Sequence, residues 1–393
     1  MSSHEFVDLG ASSAVAAALG ARGVTTPFPV QRLVLPDALD GRDVLVKSPT
    51  GSGKTLAFAI PLAELLEPAD PRPSALVLAP TRELAAQITE ETIPLAHSRG
   101  LSVAAVYGGA GIQAQIKRAR RAHIVVATPG RLEDLIERGA VALGAVRMLV
   151  LDEADRMLDM GFKPAVDRIV AQVPRDRQTM FFSATLDGDV GTLARAYTTD
   201  ARRHVHAPAR ERRHYVEHRF VSVTPDSKLD ALVRELRDDR RGLTLVFVRT
   251  KRGADRLVKR LRSHDVEALA MHGDKSQAQR EKALGRFESG RVDTLVATDV
   301  AARGLHVDDI THVINFDAPA DHDGYVHRVG RTGRAGRRGV GITFVGSDQA
   351  GDVHRMAQDL SLEREFAAAQ IRTAPAHTSA RRPRRGSGRR RVR

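Results

Sequence analysis

Short apolar runs alternate with longer amphipathic stretches along most of the chain. In the first half, six runs rich in Val, Leu and Ile predict strands, namely Asp43–Lys47, Ala75–Ala79, Leu101–Tyr107, His123–Ala127, Arg147–Leu151 and Gln178–Phe182. The stretches between them, such as Arg82–Ala96 and Pro129–Arg138, have the periodicity of helices. Continuous apolar strands that alternate with helices are typical of a parallel sheet covered on both faces, so an α/β fold is predicted.

The same alternation returns after a polar, basic interruption. The segment Ala201–His214, with the sequence ARRHVHAPARERRH, predicts a linker. Beyond it, strands are predicted at Leu243–Val248, Glu267–Met271, Thr294–Ala297, His312–Asn315 and Gly341–Val345, and helices at Arg252–Ser263, Gln277–Glu288 and near Gln349–Leu360. A chain of 393 residues is long enough for two such domains. We therefore expect a first domain at 1–204, a linker at 205–216, a second domain at 217–368 and a tail at 369–393.

Composition limits the class of protein. Hydrophobic residues make up 42% of the chain, which is a globular value, and no apolar run is long enough to span a bilayer. The absence of cysteine excludes disulfides and thiolate metal sites. Residues 1–20 lack a cationic start followed by an apolar stretch, so no secretory signal is predicted. Together these features predict a cytoplasmic protein.

The net charge of +13 is concentrated at the C-terminus. From Ala380 onward there is no acid, and the eight arginines are Arg381, Arg382, Arg384, Arg385, Arg389, Arg390, Arg391 and Arg393. From about Thr373 the chain is rich in Pro, Ser, Gly and Arg, which predicts disorder. This charge indicates a polyanionic partner, with nucleic acid as the natural one. The alternative is a solvated tail that binds nothing specific.

A glycine-rich turn follows the first predicted strand. It has the sequence Ser48-Pro49-Thr50-Gly51-Ser52-Gly53-Lys54-Thr55. The backbone N–H groups of such a turn bind phosphate oxygens at a helix N-terminus, Lys54 would reach the β- and γ-phosphates, and the Thr55 hydroxyl would bind magnesium. The strict phosphate-loop pattern has Gly at the position of Ser48, so a glycine-rich turn without a ligand is the alternative.

Three carboxylates stand at the end of another predicted strand. Asp152, Glu153 and Asp155 follow Arg147–Leu151 directly, and α/β sheets bind ligands at the carboxyl ends of their strands. Asp152 is predicted to bind magnesium, largely through water, and Glu153 to deprotonate the water that attacks the γ-phosphate. Either acid would alternatively cap the next helix, although a cap needs only one carboxylate.

The order of these motifs resembles that of the DEAD-box ATP-dependent RNA helicases over nearly the whole chain. The composition rich in Ala and Arg, with only a short tail appended, resembles bacterial members of that family. Further matching segments are Gly23–Gln31 with Phe6 upstream, Pro80–Ala85, Gly108-Gly109, Thr128–Arg131, Ser183–Thr185, Leu245–Thr250, Gln277 with Arg280, Ala297–Gly304 and His327–Arg334. The resemblance implies two tandem RecA-like domains, each a mostly parallel sheet flanked by helices, followed by a disordered basic tail.

The resemblance also implies roles for individual residues. ATP would contact Phe6, Gln31, His306, Asp152 and the phosphate loop, and the Gln31 amide has the donor and acceptor that adenine N7 and N6 require. Lys54, Glu153, Arg331 and Arg334 would be catalytic, the two arginines as arginine fingers. Asp155, Ser183, Thr185 and His327 would couple the domains. The implied RNA contacts are Pro80, Thr81, Arg82, Gly108, Gly109, Thr128, Pro129, Gly130, Arg131, Gln277, Arg280, Thr298 and Asp299.

At some positions the role of a residue is not fixed by the sequence, and at others the residue differs from the one usual in the family. Arg331 and Arg334 lie three residues apart and would share a face if both were on one helix, but spacing alone does not separate arginine fingers from surface charge. Val24 replaces the usual aromatic residue and Ser48 the usual alanine. His306 stands where the family has an aspartate that would bind the ribose, so that contact is in question.

The predicted function is that of an ATP-dependent RNA helicase. It would bind ATP and Mg²⁺, close on single-stranded RNA largely without sequence preference, unpair short duplexes or remodel RNA–protein complexes, and hydrolyse ATP to ADP and phosphate. A monomer without membrane contact is expected, with RNA-processing or ribosome-associated proteins as possible partners. The alternatives are an ATP-gated RNA clamp with little unwinding and a DNA translocase on the same paired domains.

Overall fold

The fold is described from a computed structural model. The described residues are 4–49, 51–206, 216–238, 241–302, 307, 309–333 and 337–371. Most of the predicted linker and nearly all of the predicted tail therefore lie outside them. The rest of the chain forms two α/β units, each built on its own sheet.

The first unit contains a parallel sheet. Its strands are β1 (Val44–Lys47), β2 (Ala75–Leu78), β3 (Val103–Val106), β4 (Ile124–Ala127), β5 (Met148–Leu151), β6 (Gln178–Ser183) and β7 (Arg202–Val205). They lie in the order β3-β4-β2-β5-β6-β1-β7. Because neighbouring strands are parallel, their carboxyl ends meet at one edge of the sheet.

The second unit repeats this plan. Its strands are β8 (Val216–Ser222), β9 (Leu243–Phe247), β10 (Leu269–Met271), β11 (Thr294–Ala297), β12 (Ile310–Asn315) and β13 (Gly339–Val345). They lie in the order β10-β11-β9-β12-β13-β8, and every pair is parallel. The two tandem parallel-sheet units confirm the predicted fold class.

Helices cover both faces of each sheet. In the first unit they are α1 (His4–Asp8), α2 (Ser13–Gly20), α3 (Pro29–Leu39), α4 (Lys54–Leu65), α5 (Arg82–Ser98), α6 (Ile112–Ala119), α7 (Pro129–Glu137), α8 (Ala154–Asp159), α9 (Lys163–Val170) and α10 (Gly188–Tyr197). In the second they are α11 (Lys228–Leu236), α12 (Lys251–Arg262), α13 (Gln277–Glu288), α14 (Asp299–Ala302), α15 (His322–Val329), α16 (Ala350–Asp359) and α17 (Glu363–Ala368). In the described part of the chain, no helix combines the length and the apolar character needed to cross a bilayer.

The strands are apolar on both faces because each face packs against helices. In β2, Val77 belongs to the core cluster shared with α3, α4 and α5, whereas Leu76 and Leu78 belong to the cluster on the opposite face. Burying each such side chain contributes about 1.5–3 kcal/mol. This two-sided burial explains why the apolar runs, rather than an alternating pattern, predicted the central strands correctly.

Two strands were missed by the pattern of apolar residues. Arg202–Val205, which the basic composition assigned to the linker, forms β7 and pairs with β1. Val216–Ser222 forms β8 and pairs with β13. Both are edge strands with exposed or half-exposed polar side chains. Charged residues are favourable at the edge of a sheet, where one side of the strand is unpaired. A strand that contains them does not form an apolar run, so the apolar pattern does not predict it.

Candidate ATP site and RNA channel

The phosphate loop joins β1 to α4. Gly51 and Gly53 have φ of 75° and 92°, in the left-handed region that favours glycine. The loop is folded on itself, since Lys54 Nζ donates to the Ser48 carbonyl at 3.1 Å. The Ser48 and Ser52 hydroxyls lie 2.7 Å apart, and Ser52 donates to the Pro49 carbonyl at 2.8 Å. Thr55 lies in the first turn of α4 and is half-buried.

Asp152 and Glu153 follow β5 and are buried, with 3% and 4% exposure. Glu153 has φ 50° and ψ 51°, a left-handed conformation that is uncommon for a residue with a side chain. It precedes α8, but its side chain makes no capping hydrogen bond. Its Oε2 has no hydrogen-bond partner among the described residues. Helix capping therefore does not explain Glu153.

The carboxylates form a site with an excess of negative charge. Burial raises the pKa of Asp152 to about 7, and the neighbouring charge of Glu153 adds to this, while Lys54 opposes it. Burial also raises the pKa of Asp155, again opposed by Lys54. Buried carboxylates whose charges repel one another are stabilised by a cation. The arrangement therefore suits a divalent cation that arrives with a nucleotide.

Asp155 connects the acidic turn with the end of β6. One of its carboxylate oxygens accepts from the Arg156 N–H at 3.0 Å, and the other accepts from the Ala184 N–H at 3.2 Å. The buried Ser183 hydroxyl accepts from the Thr185 N–H at 3.3 Å. These bonds join the two segments into one hydrogen-bonded unit.

Gln31 lies beside the phosphate loop and is 1% exposed. Its Oε1 accepts from the Phe28 N–H at 2.8 Å, and its Nε2 donates to the Gly53 carbonyl at 2.9 Å. The buried amide therefore positions the loop, which rules out an ordinary surface glutamine. Each end of an amide can make one further hydrogen bond, so a nucleobase contact is compatible with this geometry.

The aromatic residue at this site is Phe28 and not Phe6. Phe6 has no exposed surface and packs in the core of the first unit, so the expectation that its ring contacts ATP is not supported. Phe28 is 53% exposed. Its ring lies so close to Gly53 that a Cβ there would come within 2.4 Å of it. The family resemblance predicted Phe6 as the aromatic contact of ATP, and it did not indicate Phe28, the residue before Pro29.

A channel of about 440 Å³ runs between the two units. It is lined by Pro80, Thr81, Arg82, Glu83, Gly108, Thr128, Gly130, Arg131, Met160, Phe162, Gly273, Arg280 and Val300. Most residues predicted to contact RNA from the first unit lie here, together with Arg280 from the second. Five lining residues were not predicted to contact RNA, namely Glu83, Met160, Phe162, Gly273 and Val300. Glu83 lies within the Pro80–Ala85 motif, but a carboxylate repels phosphate, which indicates a role other than RNA binding.

Gly108 and Gly109 leave room for the Arg82 guanidinium. A Cβ on Gly109 would lie 2.3 Å from an Arg82 nitrogen, and a Cβ on Gly108 would lie 2.9 Å from one. Gly109 also has φ 84°. The glycines thus position Arg82 across the wall of the channel. Arg131 is positioned by donation to the Ala110 carbonyl at 3.2 Å.

An ion pair crosses the channel between the two units. Arg280 on α13 lies 2.9 Å from Glu83 on α5, and both side chains are 8% exposed. Burial raises the pKa of Glu83 and lowers the pKa of Arg280, in each case against the opposing charge of the partner. The nearby Gln277 amide donates to Glu281 at 3.0 Å. Arg280 and Gln277 are therefore engaged with protein groups in this arrangement.

A smaller cleft between the units lies close to the acidic turn. It is lined by Arg156, Phe247, Asp299, Ala302, Gly324, His327, Arg328 and Arg331. Here Asp299 pairs with Arg328 through two contacts of 2.6 and 2.7 Å. The Asp299 carboxylate is therefore engaged with Arg328 in this arrangement, and its contact with RNA stays a prediction. Thr298 is buried beside it and is also absent from the channel wall.

Arg331, which belongs to the second unit, is buried and lines the same cleft. Its role as an arginine finger stays a prediction. Arg331 lies beyond the end of α15 at Val329, so the condition that both arginines stand on one helix is not met for Arg331. Arg334, His306 and Thr50 lie outside the described residues.

Two family models match the chain. A DEAD/DEAH box helicase model matches residues 28–193, and a helicase conserved C-terminal domain model matches residues 227–336. The ATP-dependent RNA helicase CshA of Limosilactobacillus reuteri is 41% identical over 354 residues, which are 90% of this chain and 71% of that protein. CshA of Bacillus subtilis is 41% identical over 86% of this chain and 69% of its own length. The chain belongs to the DEAD-box ATP-dependent RNA helicases. It is thus an enzyme that hydrolyses ATP and couples this to RNA unwinding.

The arrangement of the two units resembles that in solved structures to different degrees. Saccharomyces cerevisiae Dbp5 bound to RNA and ADP BeF3 matches with a TM-score of 0.81 at 28% identity, over 93% of this chain and 99% of that one. A DEAD box protein from Methanococcus jannaschii is 37% identical over 91% of this chain and 97% of that one, yet has a TM-score of 0.53. The helicase therefore resembles the RNA-bound arrangement more than that of the protein with the more similar sequence.

Proposed function

We propose that this DEAD-box helicase binds ATP and Mg²⁺ at the phosphate loop and acidic turn, and closes its two domains on RNA in the channel. The observation that carries the proposal is the buried Glu153 Oε2, which lacks a partner among the described residues although it stands next to Asp152 in the acidic turn. A buried carboxylate oxygen without a partner is costly. A ligand that supplies a proton donor at this point would satisfy it.

The contacts of the phosphate loop and the acidic turn, together with the family resemblance, support the following roles at the ATP site. The loop N–H groups and Lys54 would bind the phosphates, once Lys54 leaves the Ser48 carbonyl. Gln31 would contact adenine while it holds Gly53. Glu153 would accept a proton from the water that attacks the γ-phosphate. Arg331, and Arg334 by the family resemblance, would stabilise the charge on the transferred phosphoryl group.

The acidic turn and Thr55 fit a magnesium ion. Among the described residues, no group of three or more His, Cys, Asp or Glu side chains could hold a metal alone. Asp152 and Thr55 would therefore bind Mg²⁺ together with water and ATP oxygens, as this ion prefers. When bound, the ion would offset the charge of the phosphates.

RNA would bind along the channel through its backbone. Arg82 and Arg131 supply cations, and the glycines permit close approach of the strand, which suits binding without sequence preference. The link from Asp155 to Ala184 would pass the state of the ATP site to the segment Ser183–Thr185. His327, which lines the cleft between the units beside Arg156, would take part in the coupling from the second domain. We further propose a cytoplasmic monomer that remodels RNA–protein complexes.

ATPase rates with RNA and DNA of the same sequence test this proposal. Single-stranded RNA should stimulate hydrolysis, DNA should not, and a short RNA duplex should be separated only with ATP. Equal stimulation by both nucleic acids would contradict the proposed RNA selectivity. ATP-dependent RNA binding without displacement of a short duplex would indicate a clamp.

A further inference from the structure

Helix α12 carries a surface of unpaired positive charge. Ala254, Leu257 and Leu261 face the core, and the exposed cations are Arg252, Arg256, Lys259, Arg260 and Arg262. These five residues, here called the cationic face of α12, have no ion pair in the described structure. Asp255, the one acid of the helix, lies 2.8 Å from Lys275 and 3.0 Å from His272, so it is already paired with residues outside α12.

Helix stability alone does not account for this charge. Cations in the last turn, such as Lys259 and Arg262, interact favourably with the helix dipole. Arg252 is in the first turn, where the dipole disfavours it, and Arg256 is one turn further on. Arg252 with Arg256, and Arg256 with Arg260, are like charges four residues apart, which destabilise a helix. A surface that keeps such repulsion suits an anionic partner.

The cationic face continues from the channel. The helix begins at Lys251, whose side chain lies against Gly273, and Gly273 lines the channel. Lys251 itself pairs with Asp274 at 2.7 Å. A helix of 12 residues is about 18 Å long. This length corresponds to roughly five phosphates of a stacked strand at about 3.4 Å each.

We propose that the cationic face of α12 binds the phosphates of RNA that extends beyond the channel. This inference rests on the proposed RNA binding in the channel and adds a second contact to it. Exposed, flexible cations without base-reading groups would bind any sequence. The helicase would thus retain a strand longer than the channel alone can hold.

The test compares two triple variants with the full-length parent. Arg252, Arg256 and Lys259 are changed to Gln, a good helix former that also removes the like-charge repulsion. The matched control changes Arg175, Arg202 and Arg203 to Gln. These are exposed and without ion pairs in the described structure, and lie near the amino ends of β6 and β7, away from the channel. Both variants lose the same charge.

Affinity is measured with a non-hydrolysable ATP analogue for RNAs of about 6 and about 20 nucleotides across salt concentrations. The α12 variant should bind the short RNA within about twofold of the parent and the long RNA at least about tenfold more weakly. Its log–log salt slope on the long RNA should fall by up to about 2, since each phosphate contributes roughly 0.7. The control should match the parent on both RNAs.

Equal binding of long RNA by the α12 variant and the control would overturn the inference, as would an equal loss on both lengths. ATPase activity at saturating short RNA verifies folding in all three proteins. A second variant, Arg252→Lys with Arg256→Lys, keeps the charge and should bind long RNA like the parent. If the parent itself shows no ATP-dependent RNA binding, the proposed function fails; if it binds but length has no effect, only this inference fails.

Discussion

At the scale of single residues, Glu153 combines an uncommon backbone conformation with a buried carboxylate oxygen that lacks a partner among the described residues. We predict that Glu153→Gln lowers the rate of RNA-stimulated ATP hydrolysis by on the order of 100-fold or more, because an amide cannot accept the proton of the attacking water. ATP and RNA binding should remain, since glutamine keeps the shape of the side chain.

Turnover number and ATP affinity, measured separately, check this prediction. The exposed Glu137→Gln on α7 is a matched control and should behave like the parent. Hydrolysis by Glu153→Gln at the parent rate would remove Glu153 from the role of general base.

Ser48 is a second residue whose surroundings allow a prediction. Its hydroxyl and its carbonyl both hold the phosphate loop closed on itself, through Ser52 and Lys54. Ser48→Ala should therefore tighten ATP binding by about 0.5–1.5 kcal/mol, the net value of one hydrogen bond. Ser52 keeps its donation to the Pro49 carbonyl, so no buried donor is left without a partner.

Equilibrium titration with a fluorescent ATP analogue measures this change. Ser12→Ala, which removes a capping hydroxyl of α2 that accepts from Val15, is a control for loss of a serine elsewhere in the first domain. Weaker binding by Ser48→Ala would mean that the serine pair prepares the loop for phosphate and does not hold it shut.

At the scale of elements, α5 and α13 meet across the channel through the ion pair of Glu83 and Arg280. Removing one partner of a buried ion pair leaves the other charge uncompensated, at a cost of about 3–5 kcal/mol. We predict that Glu83→Ala weakens ATP-dependent RNA binding at least about tenfold, because the closed arrangement loses this contact. The free energy of unfolding of each domain should change little, since the pair lies between the domains.

A double-mutant cycle tests the pair. Glu83→Ala and Arg280→Ala should each weaken RNA binding, and the double variant should lose less than the sum of the two. Glu90→Ala lies on the same helix α5, is exposed, and is the matched control. Additive losses would show that Glu83 and Arg280 act independently, for example through separate contacts with RNA.

At the scale of the whole molecule, the basic C-terminal segment adds charge beyond the two domains. We predict that truncation after Thr373 lowers RNA affinity and reduces the log–log salt slope by at most about 6, since eight arginines would each neutralise one phosphate at roughly 0.7. RNA-stimulated ATPase at saturating RNA should persist, because the ATP site lies elsewhere.

The salt dependence of RNA binding by the truncated and full-length proteins measures this contribution. Replacement of the eight arginines by Gln in the full-length chain separates charge from length. An unchanged slope in both variants would mean that the segment does not contact RNA.

The sequence alone predicted the central strands and the motifs that follow them. Strands buried on both faces must be apolar throughout, so β2, β4 and β5 stand out in any search for apolar runs. In a parallel sheet the carboxyl ends of the strands share one edge, which is why the sequence places the phosphate loop and the acidic turn together.

Features that depend on solvent exposure could be recognised only from the tertiary structure. The edge strands β7 and β8 have a mixed polar character that local patterns do not distinguish from a linker. Phe6 and Phe28 are chemically the same, and only packing against the first core buries one and leaves the other beside Gly53. Arg331 lies just beyond the end of α15, a boundary that the three-residue spacing of Arg331 and Arg334 did not define.

The contacts between the domains depend most fully on tertiary structure. Glu83 and Arg280 are separated by nearly 200 positions, and each alone resembles a surface charge in the sequence. Their 2.9 Å contact exists only because the two domains approach across the channel. The sequence by itself determined where side chains suited to phosphate, magnesium or a nucleic-acid backbone stand along the chain, because that suitability is a property of side chains and local turns. Domain packing decided which of these residues contact one another and not a ligand, because the burial and charge pairing of a side chain depend on all the groups around it.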